Sequence, residues 1–195
     1  MIATTARAAD CPDSGAVDRR LLLKLGAAAL AATFFSHPLL AHASRALAPS
    51  RAISLFNTHT GEKLAVEYYR RGSYAQPALA EINHILRDFR TNESLAMDPA
   101  LLDILHAITT TLKPGAEIHI ISGYRSPATN HTLAQQGTGV ATRSLHMDGK
   151  AIDFRIPGCD LGTLRQAALR LQAGGVGYYG QSNFVHVDTG PVRFW

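Results

Sequence analysis

The pentapeptide Phe184-Val185-His186-Val187-Asp188 alternates in polarity with a period of two. In a β-strand that period sends Val185 and Val187 one way and Phe184, His186 and Asp188 the other. The valines then face a core, and the histidine and aspartate face a cleft. A slip of one residue would bury both polar groups, so the register is strongly specified. Any fold for this chain must therefore offer a sheet with one buried face and a second face that accepts a histidine beside an acid.

The surrounding sequence supplies partners for such a strand. Residues 51–70 alternate on both sides of NTHTGEK and predict a β-hairpin turning at Gly61. Leu79, Ile82, Leu86 and Phe89 recur at helical spacing after Pro77, predicting a helix over 77–90. Asp98 as N-cap, Pro99 in the first turn and a face of Leu101, Leu105, Ile108 and Leu112 predict another over 97–112. Residues 116–126 begin as a strand and end in a loop at Gly123, with a short helix expected over 127–136. A loop then leads into the strand AIDFRI. Asp160 caps a helix over 161–172 that stops at Gly174-Gly175, and VGYY and NFVHVDT read as two strands. The whole predicts an α+β domain, a small antiparallel sheet with helices packed on one face.

Residues 1–43 follow a different logic. Arg19-Arg20 precede the moderately apolar run LLLKLGAAALAATFF, and AHA at 41–43 has a small-x-small cleavage pattern. This is the layout of a bacterial twin-arginine (Tat) signal peptide, with Asp18 before the arginine pair as in the Tat consensus. An uncleaved N-terminal anchor is the alternative, although the run is short of the ~20 residues a membrane span requires. The expectation is an exported, periplasmic protein with one domain over 44–195 and no stable membrane insertion after processing. Cys11 falls in the leader, which leaves Cys159 alone and excludes an intrachain disulfide. The formal net charge of +4 is mild and comes without a Lys/Arg block, against nucleic-acid binding and compatible with an anionic polymer.

Some motifs mislead. GVGYYG at 175–180 matches G-x-G-x-x-G in letters, but a helix precedes it and strands follow. Phosphate binding needs the opposite order. No G-x-S-x-G elbow supports a serine hydrolase, and no facing carboxylate pair supports a glycosidase.

The candidate chemistry is a metal site. Catalytic zinc uses three protein ligands from His, Asp, Glu or Cys and keeps a fourth position open. In SLHMDGKAIDF, His146 lies before the Gly149-Lys150 turn and Asp153 lies after it in a strand, so both can face one point. His186 is the third candidate. Asp148 competes with Asp153 as the acid beside His146. Each piece also has an ordinary structural explanation, such as a hydrogen-bonded strand histidine.

Together SGYRSPATN, SLHMDGKAIDF and GGVGYYGQSNFVHVDTGPVRFW resemble the peptidase M15-type zinc peptidases. Within them they resemble the murein endopeptidase K-like subfamily, once labelled a domain of unknown function. The similarity spans roughly residues 50–195. It implies a fold like that of hedgehog zinc domains and D-Ala-D-Ala carboxypeptidases. It also implies a Zn2+ bound by His146, Asp153 and His186, and hydrolysis of amide bonds in peptidoglycan stem peptides or cross-links. By the same resemblance Arg125 binds the scissile carbonyl oxygen, where charge develops; a loop salt bridge is its alternative role. Several relatives carry a glutamate or histidine shortly before the last ligand, where this chain has Asn183 and Phe184. Asp188 is the nearest carboxylate, either as general base or as an orienting partner of a ligand. Ser126 and Tyr178 are expected to contact substrate, with Tyr179 a second candidate and hairpin packing the alternative for both tyrosines. The competing function is a non-catalytic cell-wall binding module with a structural or degenerate metal site.

Overall fold

The computed structural model describes residues 49–136 and 141–195. The leader expected over 1–43, and the start of the domain at 44, lie outside the described residues.

Strands β1 (Arg51–Asn57) and β2 (Lys63–Arg70) form the expected hairpin around Gly61. A two-residue strand β3 (Ser73–Tyr74) follows. Then come helices α1 (Gln76–Ile85) and α2 (Pro99–Leu112), strand β4 (Glu117–Ser122) and helix α3 (Pro127–Gln135). A 3-10 turn (Leu145–Asp148) leads into β5 (Ala151–Arg155), helix α4 (Leu161–Leu171), β6 (Gly175–Tyr179), β7 (Phe184–Asp188) and β8 (Arg193–Phe194).

The sheet order is β3-β2-β1-β4-β5-β7-β6-β8. It is larger than expected and mixed rather than antiparallel, because β1 pairs parallel with β4 and β6 parallel with β8. Parallel pairing requires a crossover, and α1 and α2 provide it between β3 and β4. Two-residue strands such as β3 and β8 carry no readable period.

Core formation follows alternation. Ile53 and Leu55 of β1, Ile118 and Ile120 of β4, Ile152 and Phe154 of β5, and Val185 and Val187 of β7 are buried in one cluster with the helices. From α2 that cluster takes Leu101, Leu105 and Ile108 on one stripe, as their spacing predicts. Asp98 caps α2 by accepting from Ala100 N at 3.0 Å. It also ties the helix to the turn before β5 and to the end of β7, where its N–H donates to Gly149 O at 2.9 Å and its Oδ2 accepts from Thr189 at 2.8 Å.

Two expected helix ends shift. The first helix stops at Ile85, not 90. Asp88 accepts from Arg90 N at 3.0 Å and from Ser126 N at 2.9 Å, bonds available only in a turn. Phe89 keeps its apolar spacing by stacking on His59, with centroids 3.8 Å apart. At the end of α4, Gln172 takes the left-handed conformation at φ 48 instead of a glycine. Gly174 and Gly175 serve a close approach. A Cβ on either would run into Asp188.

Candidate metal centre

His146, Asp153 and His186 reach one point from three local devices. Ser144 Oγ accepts from His146 N at 3.4 Å and opens the 3-10 turn, and Gly149 at φ 67 closes it. The turn folds back on itself where Lys150 N donates to Leu145 O at 2.9 Å. Asp153 and His186 sit directly across from each other on antiparallel β5 and β7. Beside them a bulge between Ile120 and Ser122 sets Ser122 opposite Asp153 and releases Gly123–Arg125 into the site.

One donor atom from each of the three residues lies within 4.8 Å of the others, and all three residues are buried. The tautomers follow from the outer partners. His146 Nδ1–H donates to Gly123 O at 2.7 Å, since a carbonyl only accepts, and this leaves Nε2 as an acceptor. That Nε2 lies 3.3 Å from His186 Nδ1 and 3.4 Å from Asp153 Oδ1. His186 directs Nε2 at Asp188 Oδ2, 3.0 Å away, and Nδ1 at Asp153 Oδ1, 2.8 Å away. Two imidazole nitrogens and a carboxylate oxygen thus converge on one point. That donor set suits a zinc-type cation, and the outer carbonyl and carboxylate fix the ring orientations as histidine ligands require.

The electrostatics match. Burial pushes the Asp153 carboxyl up, but His146 and His186 outweigh it and hold the group well below the usual carboxylate range. Burial lowers the His186 pKa, yet the bonds to Asp153 and Asp188 win and raise it. Asp148, the rival acid, is exposed and takes no part.

A cleft of about 450 Å³ opens above the cluster. Arg125 lines it while only 9% exposed, and burial lowers its pKa. Its guanidinium is loosely held, with Asn130 Oδ1 and Ser122 Oγ each at 3.4 Å and Asp153 Oδ2 at 3.8 Å. Its Nε has no partner. This is a buried cation beside the cluster of His146, Asp153 and His186, in a long ion pair with Asp153.

Three other expected site residues lie elsewhere. Asp188 is fully buried on the far side of His186 and does not line the cleft. Oδ1 accepts from Gly175 N at 3.0 Å, Gly190 N at 2.8 Å and Arg193 at 3.0 Å, and Oδ2 from Arg193 at 2.7 Å. Burial raises its pKa, but these donors and His186 outweigh it and hold the carboxyl low. Ser126 is buried as the N-cap of α3, accepting from Thr129 N at 3.2 Å, and does not line the cleft. Tyr178 points away from the cleft toward Arg165, whose guanidinium lies 5.5 Å from its ring. Strand parity explains this. Tyr178 pairs with core-facing Val185, whereas Tyr179 pairs with Phe184 on the His186 face and does line the cleft.

Arg193 and Trp195 were missed as site residues. Both line the cleft, and the Trp195 ring sits 5.3 Å from His186. The sequence carries no signal for either, because β8 is too short for a readable period and Val192, Phe194 and Trp195 are all exposed. His119 shares the sheet face of Asp153 but engages Glu117 at 3.3 Å and the Phe56 ring. His131 lies beside Gln135 on exposed helix surface.

Comparison with known proteins identifies the family. The protein named "Peptidoglycan L,D-endopeptidase MepK" from Escherichia coli K12 is 44% identical over 178 residues, covering 91% of this chain and 97% of the relative. The "Probable peptidoglycan L,D-endopeptidase MepK" of Haemophilus influenzae is 42% identical over 179 residues, 91% of this chain and 95% of its own. A crystal structure of the Serratia marcescens L-Ala D-Glu endopeptidase ChiX is 17% identical over 49% of this chain and 68% of its own. Its TM-score of 0.34 is too distant to inform the site. The family model described as "Peptidoglycan L,D-endopeptidase MepK" matches residues 45–195, so this chain belongs to the Peptidase_M15_2 family.

Proposed function

We propose that the domain is a zinc-dependent peptidoglycan endopeptidase that cuts L,D amide bonds in cross-linked stem peptides. The observation that carries this is the convergence of His146 Nε2, Asp153 Oδ1 and His186 Nδ1 at the floor of an open cleft. The L,D bond is carried over from the names of the relatives.

A zinc ion held by His146, Asp153 and His186 would supply Lewis acidity and lower the pKa of water at the site toward neutral. Asp153 contributes the negative charge that offsets the cation. His146 and His186 present one nitrogen each, held in place by Gly123 O and Asp188. The saturation of both Asp188 oxygens supports a positioning role for it rather than a proton-accepting one. Arg125 keeps a fixed positive charge on the cleft wall beside the ligands, suited to the oxygen of the scissile carbonyl as it gains charge. The same proposal includes export. The Arg19-Arg20 leader supports Tat delivery to the periplasm, where the wall is reached.

The test is incubation of purified protein with cross-linked muropeptides, with and without a chelator. Monomeric products that vanish on chelation and return with zinc support the proposal. Binding to sacculi with no cleavage at any metal loading overturns it in favour of a binding module. For export, changing Arg19 and Arg20 to lysine should leave precursor in the cytoplasm, and normal processing would contradict the route.

A further inference from the structure

The cleft wall opposite Arg125 is aromatic. Tyr179 stacks on Phe184 across β6 and β7, with centroids 4.6 Å apart and planes at 19°. Trp195 extends β8 alongside β6, where its N–H donates to Val176 O at 3.2 Å and its carbonyl accepts from Tyr178 N at 3.0 Å. This sets the indole over Gly177, the residue directly across from His186. The fit is close. A Cβ on Gly177 would come within 2.7 Å of the indole ring.

The indole Nε1–H is a donor only. It donates to Tyr179 Oη at 2.9 Å and occupies one lone pair of that oxygen. The phenol proton must therefore point elsewhere, and no described protein acceptor takes it. Tyr179 is 38% exposed, lines the cleft and lies within electrostatic reach of the Arg125 guanidinium.

We propose that Tyr179, oriented by Trp195, is a substrate-binding residue whose hydroxyl donates to a carbonyl or carboxylate oxygen of the bound stem peptide. Trp195 is its positioning residue, acting through the hydroxyl. The identity of the peptide rests on the function proposed above. The bond is a ground-state contact, so its loss weakens binding without slowing the chemical step.

The test compares Tyr179→Phe, Trp195→Phe and the double variant, using the full zinc-loaded protein. Tyr179→Phe keeps the stacking on Phe184 and removes only the hydroxyl. Its KM on cross-linked muropeptides should rise about 3- to 10-fold, the range of one neutral hydrogen bond, with kcat nearly unchanged. Trp195→Phe should shift KM the same way by less. The double variant should be no worse than Tyr179→Phe, because the indole acts through the same oxygen. In parallel, an un-cross-linked stem-peptide muropeptide, which offers no cross-link to cut, is titrated into each protein. The same ratios of dissociation constants are expected. If wild-type protein binds this peptide but cleaves no cross-link, the catalytic proposal fails and the binding ratios still decide the role of Tyr179. Unchanged affinity in Tyr179→Phe, or additive losses in the double variant, would overturn the inference.

Discussion

Asp103 and Asp153 are the same residue type in two settings. Asp103, on α2, is met by donors alone: Arg51 at 2.6 Å, Tyr74 OH at 2.7 Å and Tyr68 OH at 3.0 Å. Burial raises its pKa, but those donors win and hold it low. Asp153 faces two imidazoles whose other nitrogens are already committed, and an arginine no nearer than 3.8 Å. Two imidazole nitrogens and a carboxylate oxygen crowded together call for positive charge between them, as a shared proton or as a metal cation. The first arrangement is complete in itself and fastens α2 to β1, β2 and β3. The second is held by imidazole protons that a metal cation can replace. A carboxylate held at low pKa is therefore no sign of function by itself; what distinguishes the two is whether its neighbours are donors only, as for Asp103, or imidazoles that can also bind a metal, as for Asp153.

Mutation is the sharpest way to break this comparison. Asp153→Asn removes the charge that offsets the cation and should reduce zinc-dependent hydrolysis to background while the protein stays folded. Muropeptide digestion beside a circular dichroism spectrum checks both halves, and retained activity would erase the distinction. Asp188→Asn loosens His186 without touching the cation and should weaken zinc affinity about 10- to 100-fold, measured by competition with a chelating dye. If Asp188 were instead the proton acceptor, activity would collapse even with zinc bound. Asp103→Ala should leave activity per folded molecule unchanged and cost about 2 kcal/mol of stability in urea unfolding, because the tyrosine and arginine donors lose their acceptor.

The smallest effect is in pH. The folded-state pKa of Asp103 is depressed. Its contribution is thus fully present above the unfolded value of about 3.9 and is lost as pH falls through the lower folded value. The stability gap between the parent and Asp103→Ala should close in that acid window. A gap that persisted through it would contradict the assignment of Asp103 as a charged anchor.

Much of the site was legible from local pattern. The alternation of Phe184–Asp188 and the turn at Gly149 made His146, Asp153 and His186 candidates with Asp148 as a rival, and the resemblance chose the set of three. The structure brings those three together because each depends on residues within one strand or turn. The sequence also carried a signal for Ser126, since a serine before Pro127 is a helix-cap pattern, and that role displaced the expected substrate contact. Asp188 was ambiguous because its partners Gly175 and Arg193 come from other elements, and no spacing records their approach. The choice between Tyr178 and Tyr179 hung on the register of β6 against β7, a pairing set in three dimensions. The parallel β1–β4 and β6–β8 contacts were hidden for the same reason, since a strand does not encode the direction of its neighbour.

The most direct test of a cation-completed cluster is a crystal structure of active protein with diffraction measured on both sides of the zinc absorption edge. The account predicts one anomalous peak at coordination distance from His146 Nε2, an Asp153 oxygen and His186 Nδ1, with Asp188 on the opposite nitrogen of His186. Active protein with no peak there, or with a peak bound through Asp188, would contradict it.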